Sequence, residues 1–162
     1  AEMLSDGIIE QSTGEFSSPV VLIKKKDGSH RFCVDYRLLN FRTIKDRWPL
    51  SRIEDCHDSL HGATIFSTLD MQAGYWQIEV APEDRHKTAF TCHAGNYQFR
   101  VLPYGLSNAP SCFSMAMDVM LHKLKYKTCL VYLDDIIVFG NSVEQHFERL
   151  REVLQKNKRC WI

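Results

Sequence analysis

Cys129-Leu130-Val131-Tyr132-Leu133-Asp134-Asp135-Ile136-Ile137-Val138-Phe139 decides how the chain is read. Apolar residues fill both ends, and two adjacent carboxylates stand between them. Two short runs of this kind read as buried strands joined by a tight hairpin, with Gly140 ending the second. A turn accommodates Asp well, so a solvated turn explains the pair on its own. A chemical reading stands beside it. Between buried strands, desolvation and mutual repulsion both oppose ionising the two groups.

Asp70 shifts the balance towards chemistry. Ala63 to Leu69 reads as a further buried strand, and it too ends in a carboxylate followed by a Gly-containing turn. Three carboxylates at strand ends can meet on one sheet edge. Hard oxygen ligands in that number suit Mg²⁺, which keeps water and binds substrate phosphates. Two such ions about 3.5–4 Å apart can activate an attacking oxygen and stabilise a leaving pyrophosphate. Chemistry of this type is largely positioning and charge neutralisation.

Further out, Val20 to Ile23 runs into Lys24-Lys25-Lys26, Asp27-Gly28 marks a turn, and Arg31 to Tyr36 alternates in hydrophobicity. This is a β-hairpin with cations near its tip. Residues 23–52 hold nine bases against three acids, although the whole chain has a formal net charge of zero. A localised phosphate-facing surface fits that asymmetry, as does a solvated hairpin face. Trp76, Ile78 and Val80 alternate as a strand would, and Thr88–Thr91 and Tyr97–Leu102 read as two more. Ser51 to Glu54 and Ser142 to Gln145 are capping boxes opening helices. Pro110 suits a first helical position. Phe113, Met117, Met120, Leu121 and Leu124 form one apolar helix face, and Val143, Phe147, Leu150 and Leu154 another. Strands and helices mix without regular alternation, so the expected class is α+β, an antiparallel sheet backed by helices.

The 162 residues, 44% of them hydrophobic and 25% charged, suit one domain or two small lobes sharing a core. No apolar run approaches about 18 residues, so no membrane partner is expected. The first residues lack the pattern of a secretory signal. Six cysteines without a Cys-x-x-Cys pair fit a reduced, intracellular setting. Cys56, His57 and His61 could supply zinc ligands from one helix, but no second pair matches them.

Tyr132-Leu133-Asp134-Asp135 resembles the Tyr-x-Asp-Asp motif of reverse transcriptases. Other blocks match in the same order: Ser18 to Val21 with Lys24 to Gly28, Arg31 to Arg37 with Leu39-Asn40, Leu69-Asp70, Gly74-Tyr75, Lys87 to Phe90, and Pro103 to Leu106 with Asn108 to Pro110. The pattern is most similar to the gypsy-type long-terminal-repeat retrotransposons and covers almost the whole chain. It implies the fingers and palm of a right-hand polymerase, with fingers at 1–44 and 78–108 and palm at 45–77 and 109–162. Thumb, connection and RNase H regions are expected to be absent, and stand-alone synthesis to be feeble.

The resemblance also implies roles. Asp70, Asp134 and Asp135 would be the catalytic carboxylates holding two Mg²⁺ ions, with Mn²⁺ as a substitute, and the Met71 carbonyl would be a further ligand. Lys25 and Arg31 would contact the incoming dNTP, with Lys24 or Lys26 able to replace Lys25. Backbone amides of Ala73 and Gly74 would face phosphates. Tyr75 would be a steric gate against a ribose 2′-hydroxyl, and Tyr104 would line the nucleotide pocket. Arg37, Gly105 and Tyr132 would lie near the template and primer. The implied function is RNA-directed DNA polymerisation on an RNA or DNA template within a Pol polyprotein. The implied localisation is cytoplasmic, in virus-like particles, or nuclear. A non-catalytic remnant that binds RNA or protein is the alternative. Tyr104 replaces the Gln of retroviral relatives, and Met71-Gln72-Ala73 and Ser111-Cys112 differ from the commonest members.

Overall fold

Alternation and turn chemistry build the first of two units. In the computed structural model, which describes residues 2–26, 28–49, 52–71, 73–132 and 135–160, the chain divides into two units. One comprises residues 1–45 and 75–109, the other 46–74 and 110–162. The first opens with helix α1 (Glu2–Ser5), which stops at Gly7, whose φ of 70° only glycine adopts without strain. Strands β1 (Ile9–Gln11), β2 (Ser18–Lys24) and β3 (His30–Val34) follow, then helix α2 (Arg37–Arg42). After the second unit's first segment come β5 (Phe90–Cys92) and β6 (Gly95–Phe99). The sheet order is β1-β6-β5-β2-β3. All pairs are antiparallel except β2 with β5, where Ser18 faces Phe90 and Pro19 faces Thr91.

Ile9, Val34, Tyr36, Phe90 and Phe99 form this unit's core. Tyr36 is buried to its hydroxyl, which donates to the Thr88 carbonyl at 2.8 Å. That satisfies a polar group whose burial would otherwise be costly. Burial also raises the phenol's pKa well above its ordinary value.

The second unit carries α3 (Ile53–Ser59), β4 (Ile65–Asp70), α4 (Ala109–Leu121, beginning at the end of the first unit), β7 (Cys129–Tyr132), β8 (Asp135–Gly140) and α5 (Val143–Cys160). Its sheet runs β4-β8-β7, all antiparallel, and α5 packs on β8 and β4. Phe113, Met117, Met120, Leu121 and Leu124 are all buried, as the helical spacing requires. The Asp118 carboxylate accepts the Trp48 indole N–H at 3.1 Å and pairs with the Lys125 ammonium.

Several expectations are corrected. Residues 76–80 form no strand. A 3-10 helix covers Gly74–Gln77, and only an isolated bridge joins Glu79 to Val101. Ala73 adopts a φ of 53°, and this turn is tight enough to replace the extended path. Residues 85–88 likewise form a 3-10 turn before β5. Pro110 is the second residue of α4 rather than the first. Helix α3 ends at Ser59, so His61 does not share it with Cys56 and His57. Arg52 occupies the N-cap of α3 without a side-chain cap, and Ser51 lies outside the described residues. The Ser142 box does form in part: the Gln145 amide donates to Ser142 Oγ at 3.3 Å. Gln145 Oε1 in turn accepts the amide of Asn141, not of Ser142, at 2.9 Å.

The last helix is rotated from the expected orientation. Val143, Phe147 and Leu154 are exposed, and His146 and Val153 are buried in their place. Helix α5 lies close to β8 here. A Cβ on Gly140 would sit 3.0 Å from the N, Cα and Cβ of His146. The Arg149 guanidinium donates to the Phe139 carbonyl at 2.8 Å. These contacts fix which face of the helix looks inward.

Candidate active site

Strand β4 pairs with β8 so that Asp70 stands directly opposite Asp135, and Tyr132 opposes Asp135 from the other side. Directly opposed residues project from the same sheet face, with Cβ atoms about 4.5–5.5 Å apart. Asp70 and Asp135 are both exposed there. Neither has an ion-pair partner among the described residues. Asp134 and Leu133 lie outside the described residues, and no group of three metal-ligating side chains occurs among those described.

Two opposed, solvent-facing carboxylates repel each other, and a divalent cation between them would remove the penalty. The donor set of hard oxygens fits Mg²⁺. The Met71 carbonyl accepts the Gly74 amide at 3.2 Å and retains a second lone pair for a cation. Gly74 itself leaves no room for a side chain, since a Cβ would approach two atoms of the buried Phe113 ring at 3.1 Å.

In the other unit, the hairpin of β2 and β3 places cations together. Lys24, Lys25, Lys26 and Arg31 line one concavity of about 560 Å³ with Ile23 and Cys33. Arg31 is opposite Ile23 in the ladder, and Gly28 takes a φ of 85° at the turn. The geometry thus collects Lys25, Arg31 and both lysine alternatives around one space.

A second, smaller cavity of about 110 Å³ is lined by Phe32, Cys33, Val34, Trp76, Tyr104 and Gly105, among others. Tyr104 stacks on Tyr75 with ring centroids 5.0 Å apart and planes 30° apart. Gly105 has a φ of 98°, and its carbonyl oxygen accepts a hydrogen bond from Asn40 Nδ2 at 2.7 Å. Asn40 Oδ1 also accepts the Ser107 amide at 2.7 Å. Asn40 therefore clips the loop that carries Tyr104 and Gly105. Sequence reasoning quoted it within a motif but gave it no role; a polar residue beside the half-buried Leu39 was the available signal. Arg37 is engaged by Asp35 at 2.6 Å, and that hydrogen bond holds the Asp35 carboxyl below its usual range. Arg37 remains largely exposed.

His146 is the buried group that sequence reasoning missed. Its Nε2 lies 2.8 Å from Ser67 Oγ, behind β4. The apolar stripe drawn through Phe147 passed it over.

Residues 23–161 match the family model described as reverse transcriptase (RNA-dependent DNA polymerase). The chain is 40% identical over 160 residues to the retrovirus-related Pol polyprotein from transposon 297 of Drosophila melanogaster, covering 96% of the chain and 15% of that protein. It is 39% identical to that from transposon gypsy of the same organism, covering 95% of the chain and 16% of the relative. The chain thus spans about a sixth of these relatives. The native prototype foamy virus protease-reverse transcriptase superposes with a TM-score of 0.83 at 26% identity, over 98% of the chain and 21% of that structure. The foamy viral protease-reverse transcriptase in complex with double-stranded DNA gives 0.80 at 26% identity, over 98% of the chain and 27% of that structure. With the family model spanning most of its length, the chain belongs to the reverse transcriptase (RNA-dependent DNA polymerase) family.

Proposed function

We propose that the chain is the catalytic fingers-and-palm part of an RNA-directed DNA polymerase within a retrotransposon Pol polyprotein. The unit of residues 1–45 and 75–109 is the fingers, and the other is the palm. The pairing of Asp70 with Asp135 at adjacent strand ends carries the reading. Together with Asp134 and the Met71 carbonyl, these carboxylates would hold two divalent ions. When bound, Mg²⁺ supplies Lewis acidity at the primer 3′-hydroxyl and neutralises charge on the leaving pyrophosphate.

The protein's own groups do the positioning. Lys25 and Arg31 bind the dNTP triphosphate, with Lys24 and Lys26 adding to the local field. The amide of Ala73 lies beside the phosphates, whereas that of Gly74, expected there too, is already donated to the Met71 carbonyl. Tyr75, braced by its stack on Tyr104, excludes a ribose 2′-hydroxyl by volume. Arg37, Gly105 and Tyr132 contact the template and primer strands. The product forms on an RNA or DNA template, in cytoplasmic particles or in the nucleus.

Primer extension by the chain joined to a thumb tests the proposal. Asp70→Asn and Asp135→Asn are each expected to abolish incorporation while leaving nucleic-acid retention intact. Extension that survives Asp135→Asn overturns the carboxylate assignment. Tight RNA retention with no dependence on Mg²⁺ or nucleotide favours a binding remnant instead.

A further inference from the structure

Strand β4 lies at the sheet edge and, among the described residues, pairs with β8 alone, from Ile65 opposite Gly140 to Asp70 opposite Asp135. Its register matters more than its mere presence. A slip of two residues would keep every side chain on its face, yet carry Asp70 about 7 Å from Asp135. The ladder itself opposes that slip, and a side-chain contact outside it adds to the opposition.

Three observations identify the contact. Alternation places Ser67 on the face opposite Asp70, towards α5, about 10 Å along the strand. Ser67 Oγ and His146 Nε2 are 2.8 Å apart, and His146 is only 5% exposed. Helix α5 is itself anchored to β8 through the close approach at Gly140 and the Arg149 bond to Phe139. The histidine is therefore a crossbar: one end is fixed to β8 through its helix, and the other holds β4.

The same residue is a poor choice for packing alone. Its Nδ1 is buried without a hydrogen-bond partner among the described residues. An unsatisfied buried nitrogen is costly, and an aromatic hydrocarbon of similar shape would avoid that cost. A half-satisfied imidazole at this position points to a job other than stability.

We propose that His146 is a positioning residue that, through Ser67, fixes the register bringing Asp70 opposite Asp135 for cation binding. The proposal rests on the reading of those aspartates as metal ligands. Mn²⁺ alone is the probe, its free concentration read by electron paramagnetic resonance in the presence of the 162-residue chain, with thermal midpoints measured in parallel. The variants are Ser67→Ala, His146→Phe, both together, and His146→Gln, whose amide can still meet Ser67.

Ser67→Ala and the double variant are expected to weaken Mn²⁺ binding about tenfold, the usual scale for losing a group that orients a ligand. The double variant, having lost both polar partners, is expected to keep its thermal midpoint, and His146→Gln to recover part of the affinity. A merely structural role predicts the reverse, a lowered midpoint with unchanged Mn²⁺ affinity. Ser67→Ala removes one oxygen and keeps the proposal testable if the bulkier variants fail to fold. Wild-type affinity in Ser67→Ala, while Asp135→Asn has lost binding, overturns the crossbar and spares the metal reading. Equal binding by wild type and Asp135→Asn overturns the metal reading itself.

Discussion

Replacing Asp135 by Asn should make the protein more stable. The two carboxylates are opposed and exposed, and no described cation pairs with either. For charges about 6 Å apart, Coulomb repulsion is about 0.7 kcal/mol in bulk water and rises towards 3 kcal/mol at an effective dielectric of 20. Exposure favours the lower figure, and a Debye length of about 8 Å at 0.15 M salt roughly halves it. The expected gain in chelator is therefore about 0.3–1 kcal/mol, or a rise in melting temperature of roughly 1–4 °C. It should be largest near 0.01 M salt and fade as salt is added. Adding Mg²⁺ should raise the melting temperature of the wild type and leave that of Asp135→Asn nearly unchanged, because the binding partner is gone. Differential scanning calorimetry across salt and Mg²⁺ series reads all three quantities. A variant that melts lower than wild type in chelator at low salt would refute the opposed-charge reasoning.

Other changes probe the two units separately. Gly140→Ala would drive a methyl into the backbone of His146 at 3.0 Å, and backbone cannot step aside. It should destabilise by about 1–3 kcal/mol and release α5 from β8, seen as faster amide exchange in β4. Arg31→Ala should cut affinity for tripolyphosphate about tenfold or more in a dye-displacement assay, because it removes charge-assisted bonds in the cationic recess. Equal affinity would exclude that recess as the phosphate site. Burial pushes the Cys129 thiol from 9.0 up to about 12. With its folded value raised, the thiol's contribution to stability is complete below pH 9 and falls as pH climbs towards 12. At pH 8, iodoacetamide should label Cys129 only after unfolding, as followed by peptide mass spectrometry.

The closeness of Asp70 and Asp135 was legible because each borders an apolar run, and the pairing of β4 with β8 sets the two opposite each other; Asp134 lies outside the described residues. The hairpin of β2 and β3 was legible from its turn residues and alternating return strand. Residues 76–80 misled because the apolar side chains of Trp76, Ile78 and Val80 repeat at period two while the backbone coils through a 3-10 turn. That turn depends on the left-handed conformation at Ala73, which an alanine does not advertise. In α5 the strongest apolar stripe faces outward, because the inward face is chosen by the approach at Gly140 and by two side-chain bonds to neighbouring strands. Hydrophobic spacing sees neither, so His146 stayed hidden. Asn40 stayed without a role for a similar reason: its partners lie 65 and 67 residues away.

The interleaving of the two units bears on how the protein is made. The chain crosses between them near residues 45, 74 and 109, so neither unit is finished when its first segment leaves the ribosome. Strand β4 emerges between the halves of the first unit, and its partner β8 ends only at Gly140. At roughly 5–20 residues per second, that partner arrives several seconds later. During this interval a nascent strand with an apolar face has no sheet to join, and chaperone binding at that stage of synthesis would guard the very segment that later bears Asp70.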